Sequence, residues 1–294
     1  MRKRKSEKYA GYIFLLPWII GFLCLTLIPM AMSFYYSFTN YNLLTEPKFI
    51  GIENYTKMFT SDLHFNNALK VTFIYVFASV PLQLLVSLIL AFILNKGIKG
   101  LSFFRAAFYI PSLLGGSVAI SILWRQIFGM DGILNMVLGM FGIDSNISWV
   151  ANPETAVWTL VVLRMWQFGS PMIIFLAAIK QVPMELMEAA AIDGANKRQQ
   201  TMKIMIPLIS PVILFNLVMQ IISAFKVFTE SYIISGGNGG VLDSLLFYTL
   251  HIYNEGFGKM RMGYASALAW FLVLIIGILT ALVFLISKKF IHYD

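Results

Sequence analysis

Long apolar runs broken by short polar stretches set the pattern of this chain. A membrane-crossing helix needs about 20 mostly apolar residues. Six segments reach that length: roughly 11–34, 70–94, 104–127, 156–179, 208–234 and 263–287. The first follows a basic RKRK run and opens GYIFLLPWIIGFLCLTLIPM. It is too long for the apolar part of a secretion signal and lacks a small-residue cleavage site, so it counts as a span. Pro17, Pro29, Pro81, Pro111 and Pro171 lie inside these runs. Each removes a helix hydrogen bond, a loss that membrane helices tolerate where neighbours or cavity water satisfy the freed groups. The segment DGILNMVLGMFGI, between spans three and four, is apolar but too short to cross. It is expected at the interface or as a plug on the outer face. The expected architecture is all-α and integral to the membrane, a single domain over 1–294.

Composition agrees. Of 294 residues, 59% are hydrophobic and 12% charged, against about a quarter charged in an average soluble domain. The net charge of +8 does not point to nucleic acid, because the cations gather at segment ends, where they orient a membrane protein. With the N-terminus inside, the inner segments hold 14 Lys and Arg residues: Arg2, Lys3, Arg4, Lys5, Lys8, Lys96, Lys99, Arg105, Lys180, Lys197, Arg198, Lys203, Lys288 and Lys289. The outer segments hold 5: Lys48, Lys57, Lys70, Lys259 and Arg261. That bias predicts six spans with both termini in the cytoplasm, in a bacterial-type cell membrane. Cys24 is the lone cysteine and the three histidines lie far apart, so neither a disulfide within the chain nor a metal site is expected.

One polar stretch is shaped rather than merely soluble. From Pro183, the residues MELMEAAAI form a good helix, with Glu185 and Glu188 in its first turns. Asp193-Gly194 ends it, and glycine takes the positive-φ position such a turn requires. NKRQQTMKIMI then resumes a helix into Pro207. The cation bias places this loop, 183–206, on the cytoplasmic side. Small Ala189, Ala190 and Ala191 permit close approach, and Met184 and Met187 offer adaptable apolar contact. A solvated connector needs none of these, whereas a docking element does.

EAAAIDGA followed by IPLISP resembles the EAA loop of permease subunits of ATP-binding-cassette importers. LWRQIFGMDGILN, FKVFTESYIISGG, the C-terminal MGYASALAWFLVLIIGILTALVFLISKKFIHYD and the N-terminal YYSFTNYNLL…FIGIENYTKMF extend the likeness to the carbohydrate-uptake branch, similar to maltose and glycerol-phosphate permeases. Members often carry an aromatic residue where Thr201 stands and a proline where Asn238 stands. The resemblance implies the type I importer permease fold. It implies that Glu188, Ala189, Ala190, Asp193 and Gly194 contact an ATPase, with Gly194 setting the bend. It also implies a second permease subunit in a heterodimer, an ATPase dimer holding ATP and Mg, an extracytoplasmic solute-binding protein, and a sugar or oligosaccharide moved by alternating access.

No G-x-x-x-x-G-K-[ST] occurs, so no phosphate cradle is expected in this chain, and it is not expected to be an enzyme. Ionisable residues inside spans are candidates for the substrate pathway. Arg164 lies about nine residues into span four, roughly 13 Å of helix, with Gln167 three residues on. Lys226 and Glu230 sit in span five, as an intrahelical ion pair or as pathway groups. Asn216, Gln220 and Ser223 share a stripe that passes on to Lys226 or Val227. Arg164 and Lys226 reaching one cavity would favour an acidic sugar; alternatively Arg164 pairs with a partner-subunit carboxylate or snorkels. Arg125, near the outer interface, is expected to snorkel. Two other readings remain. One is a permease of the same class for another polar solute, such as glycerol-phosphate or a peptide. The other is a secondary transporter, which predicts repeated halves and buried coupling carboxylates.

Overall fold

In lipid, an isolated segment satisfies its backbone groups only as a helix. The computed structural model describes residues 3–97, 100–143 and 145–288, and only the backbone of 3–10 and 13. Arg2, Lys99 and Lys289, three of the orienting cations, lie outside the described residues. No strand forms among those described; an isolated bridge pairs Thr39 with Phe49. The helices are α1 (Lys3–Phe22), α2 (Ile28–Tyr36), α3 (Glu53–Thr60), α4 (Phe65–Asn95), α5 (Leu101–Leu114), α6 (Val118–Ile127), α7 (Ile133–Met140) and α8 (Ala156–Trp166). They continue with α9 (Gly169–Gln181), α10 (Met184–Ile192), α11 (Lys197–Gln200), α12 (Ile206–Leu208), α13 (Ser210–Phe225), α14 (Thr229–Ser235), α15 (Tyr248–Tyr253) and α16 (Met262–Ser287).

Among the described residues, four helical stretches are long and apolar enough to cross a membrane: Phe14–Tyr36, Phe65–Asn95, Ser210–Ser235 and Met262–Ser287. Two bent pairs, α5 with α6 at 94° and α8 with α9 at 41°, pass the same test together, so the total is up to six if each pair is one crossing. Each apolar segment read from the sequence falls on one of these six stretches.

The chain divides into two compact units, 1–62 with 252–272, and 63–251 with 273–294. In the first, a π-helical turn over Leu23–Leu27 precedes Pro29. Ile28 donates to the carbonyl of Leu23, five residues back. The widened turn accommodates the missing donor and the ring of Pro29. The buried Asn54 amide donates to the carbonyls of Ser37 (2.9 Å) and Thr39 (2.8 Å), tying α3 to the end of α2. Glu255 is buried and gathers Lys259 (2.5 Å) and Arg261 (3.3 Å). Lys57 sits 4.4 Å over the ring of Tyr264. Partial burial, with Arg261 nearby, holds its ammonium below the usual lysine range.

The second unit is built around α4, which packs against α8, α9 and α13. Its buried positions, among them Ala68, Thr72, Tyr75, Ser79, Gln83, Ser87 and Ala91, recur at helical spacing. Pro81 lies within α4 without interrupting it. Pro171 falls in the first turn of α9, where a missing N–H leaves no gap in the ladder. The bend between α5 and α6 forms at Gly115-Gly116, and the Ser117 hydroxyl caps α6 by accepting from Ile120 N (3.3 Å). DGILNMVLGMFGI folds as the short α7, whose Ile133, Met136 and Met140 are exposed.

Candidate functional sites: a bent loop and a buried polar cluster

The stretch that reads as a shaped loop has two helical arms and a turn. Pro183 stands at the N-cap of α10, and Glu185 occupies its first turn. At the other end, Ala195 N donates to Ala190 O (2.9 Å) and Gly194 N to Ala191 O (3.1 Å). These paired bonds make a Schellman motif, which needs a left-handed residue at the position Gly194 holds. Gly194 has φ +83°. A Cβ there would meet nothing within 4 Å, so the backbone angle, not crowding, calls for glycine. The second arm starts in a capping box: Gln199 N donates to Asn196 Oδ1 (2.9 Å), and Asn196 N to Gln199 Oε1 (2.8 Å). A π turn over Thr201–Met205 then leads into Pro207.

The arms are open to their surroundings. Glu188, Ala189, Asp193 and Gly194 are exposed and Ala190 is half-buried. Met184 is 72% and Ile192 86% exposed, large apolar groups beside the exposed Glu185, Glu188 and Asp193. Such a patch beside charges marks a contact surface.

The candidate pathway residues part company. Arg164 is buried, and its guanidinium donates to Gln220 Oε1 (2.8 Å) and to the Gln220 carbonyl (3.1 Å). Tyr75 and Glu230 lie within electrostatic reach of it. Arg164 thus has hydrogen-bond partners within its own chain. Gln167 does not continue the face of Arg164. It ends α8, and its side chain fills the space where Gly115 would carry a Cβ. Asn216 is buried and donates to Val212 O on its own helix (3.1 Å), whereas Ser223 is exposed, so the expected stripe turns from buried to open along its length.

The intrahelical Lys226–Glu230 pair is corrected. The helix breaks at Lys226–Phe228, with Phe228 at φ −138°, ψ −57°. Thr249 Oγ1 donates to the Val227 carbonyl and holds the break open. Across it the four-residue spacing no longer stacks two side chains. Lys226 ends exposed at the C-cap of α13, and Glu230 sits in the first turn of α14.

Three residues that sequence reasoning passed over hold the second break. Gln83 Nε2 (2.8 Å) and Ser112 Oγ (3.0 Å) both donate to the Gln167 carbonyl, and Ser87 Oγ donates to the Phe168 carbonyl (2.9 Å). Ser112 also accepts from Ser170 N (2.8 Å). Groups freed where α8 meets α9 are therefore satisfied by side chains from α4 and α5, as the apolar surroundings require. The available signal was Ser79, Gln83 and Ser87, polar residues four apart in an apolar run.

Comparison with known proteins supplies the context for this geometry. The chain is 50% identical over 293 residues to the probable ABC transporter permease protein YesP of Bacillus subtilis (strain 168), covering 100% of this chain and 95% of that one. It is 33% identical over 292 residues to the multiple sugar-binding transport system permease protein MsmF of Streptococcus mutans, covering 98% of each. The fold is similar to a chain of a bacterial alginate ABC transporter solved with an alginate pentasaccharide-bound periplasmic protein. There the TM-score is 0.81 at 22% identity, with 98% of this chain and 96% of that chain covered. The model of the binding-protein-dependent transport system inner membrane component matches residues 65–292. The described residues are helical, with several apolar helices of membrane length, and this protein belongs to that family.

Proposed function

We propose that this chain is the permease subunit of an ATP-driven importer for a sugar or oligosaccharide. It crosses the bacterial cell membrane six times with both termini in the cytoplasm, and acts as one transmembrane domain despite its two compact units. The likeness to the sugar permease MsmF supports the substrate class. The observation that carries the mechanism is the loop. A glycine-bent pair of short helices exposes Glu188, Ala189, Asp193 and Gly194 beside Met184 and Ile192. Its role is to seat against an ATPase dimer on separate chains, which bind ATP and Mg and perform the hydrolysis. A second, similar permease completes the pathway, and an extracytoplasmic solute-binding protein delivers the sugar. ATP binding moves the loop and opens the bundle outward; hydrolysis resets it inward.

In this reading Arg164, Gln167, Asn216, Gln220, Ser223, Lys226 and Glu230 belong to or border the pathway. The bond from Arg164 to Gln220 joins spans four and five, so a solute passing between these spans has to part it or pass beside it. Arg164 together with Lys226, which is exposed where span five breaks, favours an acidic sugar where both reach one cavity. The test is the reconstituted assembly, screened with neutral and uronic sugars for ligand-stimulated ATP hydrolysis. Stimulation by a sugar is the expected result; solute movement by this chain alone would overturn the proposal. Stimulation by neutral sugars only, or uronate transport unchanged in Lys226→Gln, would remove the acidic ligand.

A further inference from the structure

One buried face of α4 carries polar side chains at helical spacing through an apolar helix of membrane length: Thr72, Tyr75, Ser79, Gln83 and Ser87. On that face Thr72 Oγ1 donates to Ala68 O (2.7 Å) and Ser87 Oγ donates to Gln83 O (2.7 Å), each one turn back. Serine and threonine within helices commonly bond back in this way. Ser79 does not. It is 0% exposed, and its hydroxyl has no hydrogen-bond partner among the described residues. Two further atoms share that condition. Gln83, 3% exposed, uses its NH2 group on the Gln167 carbonyl (2.8 Å). A carbonyl only accepts, so the amide is fixed with Nε2 toward it, and Oε1 is left without a partner among the described residues. Arg164, 7% exposed, gives Nη2 to Gln220, and its Nε is likewise unpartnered.

Helix register brings the three atoms to one stretch of the interface between α4 and α8. Along α4, Tyr75 lies within electrostatic reach of Arg164, Gln83 bonds to the Gln167 carbonyl, and Ser87 bonds to the Phe168 carbonyl. Ser79 stands on the same face between Tyr75 and Gln83, so it faces the turn that runs from Arg164 to Gln167. Its side chain is shorter than those of Tyr75 and Gln83 on either side, which leaves the wall of α4 lowest at that point. The three atoms are also complementary. Arg164 Nε only donates, Gln83 Oε1 only accepts, and a serine hydroxyl does either. Polar groups left unpaired among apolar helices cost free energy. One water meets all three needs: its oxygen accepts from Nε, and its two protons go to Oε1 and to the serine oxygen. Three bonds are the usual complement of a buried water.

We infer that a buried water bridges Arg164 Nε, Ser79 Oγ and Gln83 Oε1, and that Ser79 and Gln83 position the Arg164 guanidinium through it. The guanidinium is then tied on one side to α4 through the water and on the other directly to Gln220 of α13. Two anchors on opposite sides fix the plane of a rigid fork of donors. In the transport reading, on which the sugar arm of the test rests, Arg164 borders the pathway, so its charge meets the solute in a set direction.

The test uses the full transporter in lipid nanodiscs. A map of the wild type that resolves ordered waters should show a peak about 2.7–3.2 Å from Arg164 Nε, Ser79 Oγ and Gln83 Oε1. No peak there, or a direct bond from Arg164 to Gln83 or Ser79 in its place, would overturn the bridge. Ser79→Thr and Ser79→Val add the same bulk, but only threonine keeps the hydroxyl. The valine variant should melt roughly 2–4 °C below the threonine variant. In an Arg164→Met background, which takes the donor away from the water, that gap should close. Equal midpoints in the first pair, or an undiminished gap in the second, would also overturn the bridge. Positioning is read in the half-saturating sugar concentration for stimulated ATP hydrolysis. It should rise about tenfold in Ser79→Val, in keeping with the loss of a hydrogen bond to a charged group, and stay near wild type in Ser79→Thr. No change in either variant would overturn the positioning role. A wild-type assembly that answers to no sugar would instead overturn the transport reading, with the map and the melting pairs still deciding the bridge.

Discussion

The 183–206 loop and the junction between α8 and α9 are both places where a helix stops and restarts, and they do so for different reasons. In the loop the hydrogen bonds that shape the turn and restart the helix are local. The Schellman bonds join residues at most five apart, the capping box joins residues three apart, and a Cβ on Gly194 would touch nothing. At Gln167 the contacts are distant. The freed carbonyls are met by Gln83, Ser87 and Ser112, 55 to 84 residues away. A loop shaped from within keeps its form while its surroundings change, which suits the coupling role proposed for it. A break held from outside is rigid only while α4, α5 and α9 stay packed.

This contrast makes mutations at the two glycines behave differently. Gly169 sits at the junction, and a Cβ there would overlap the Phe108 carbonyl and crowd Tyr109 Cα at 2.7 Å, backbone atoms that cannot swing away. Gly169→Val should destabilise the protein by about 3 kcal/mol, read as loss of folded protein in detergent on size exclusion. A wild-type yield would show that the junction is softer than a packed break.

Gly194→Val has free space but the wrong backbone. Holding a β-branched residue in the left-handed region costs roughly 1–2 kcal/mol. The expected result is normal membrane abundance with sugar uptake per ATP hydrolysed reduced about tenfold. Gly194→Asn, which tolerates this φ, should lose far less. Wild-type uptake in Gly194→Val would mean that the bend is not a coupling device.

Gln83→Leu is the mildest of the three. It removes one of the two donors to the Gln167 carbonyl and leaves Ser112 in place. A loss of about 1 kcal/mol is expected, measured as a shift in the thermal midpoint. Adding Ser112→Ala should cost more than the sum of the single changes, because the carbonyl is then buried without a partner. Strict additivity would show that water reaches the junction.

Much of this was legible in the chain because it depends on periodicity and local chemistry. Runs such as 70–94 and 263–287 announce membrane helices by length alone, and MELMEAAAIDGANKRQQ carries its helix, stop and restart in its own residues. The Lys226–Glu230 pair failed for a complementary reason. Four-residue spacing implies contact only if the helix is continuous, and its break depends on Thr249, 22 residues on, capturing the Val227 carbonyl. The placing of Gln167 on the helix face of Arg164 failed similarly, since α8 ends one residue before it.

The sequence by itself determined the membrane helices and the bent loop, because apolar length, proline, glycine and capping residues act within a turn or two of the backbone. Only the tertiary structure decided where those helices bend and which polar residues meet. The pairing of Arg164 with Gln220 and the capping of Gln167 by Gln83 and Ser112 each join residues far apart in the chain. Such pairings follow from packing against α4 and its neighbours, which no local pattern encodes.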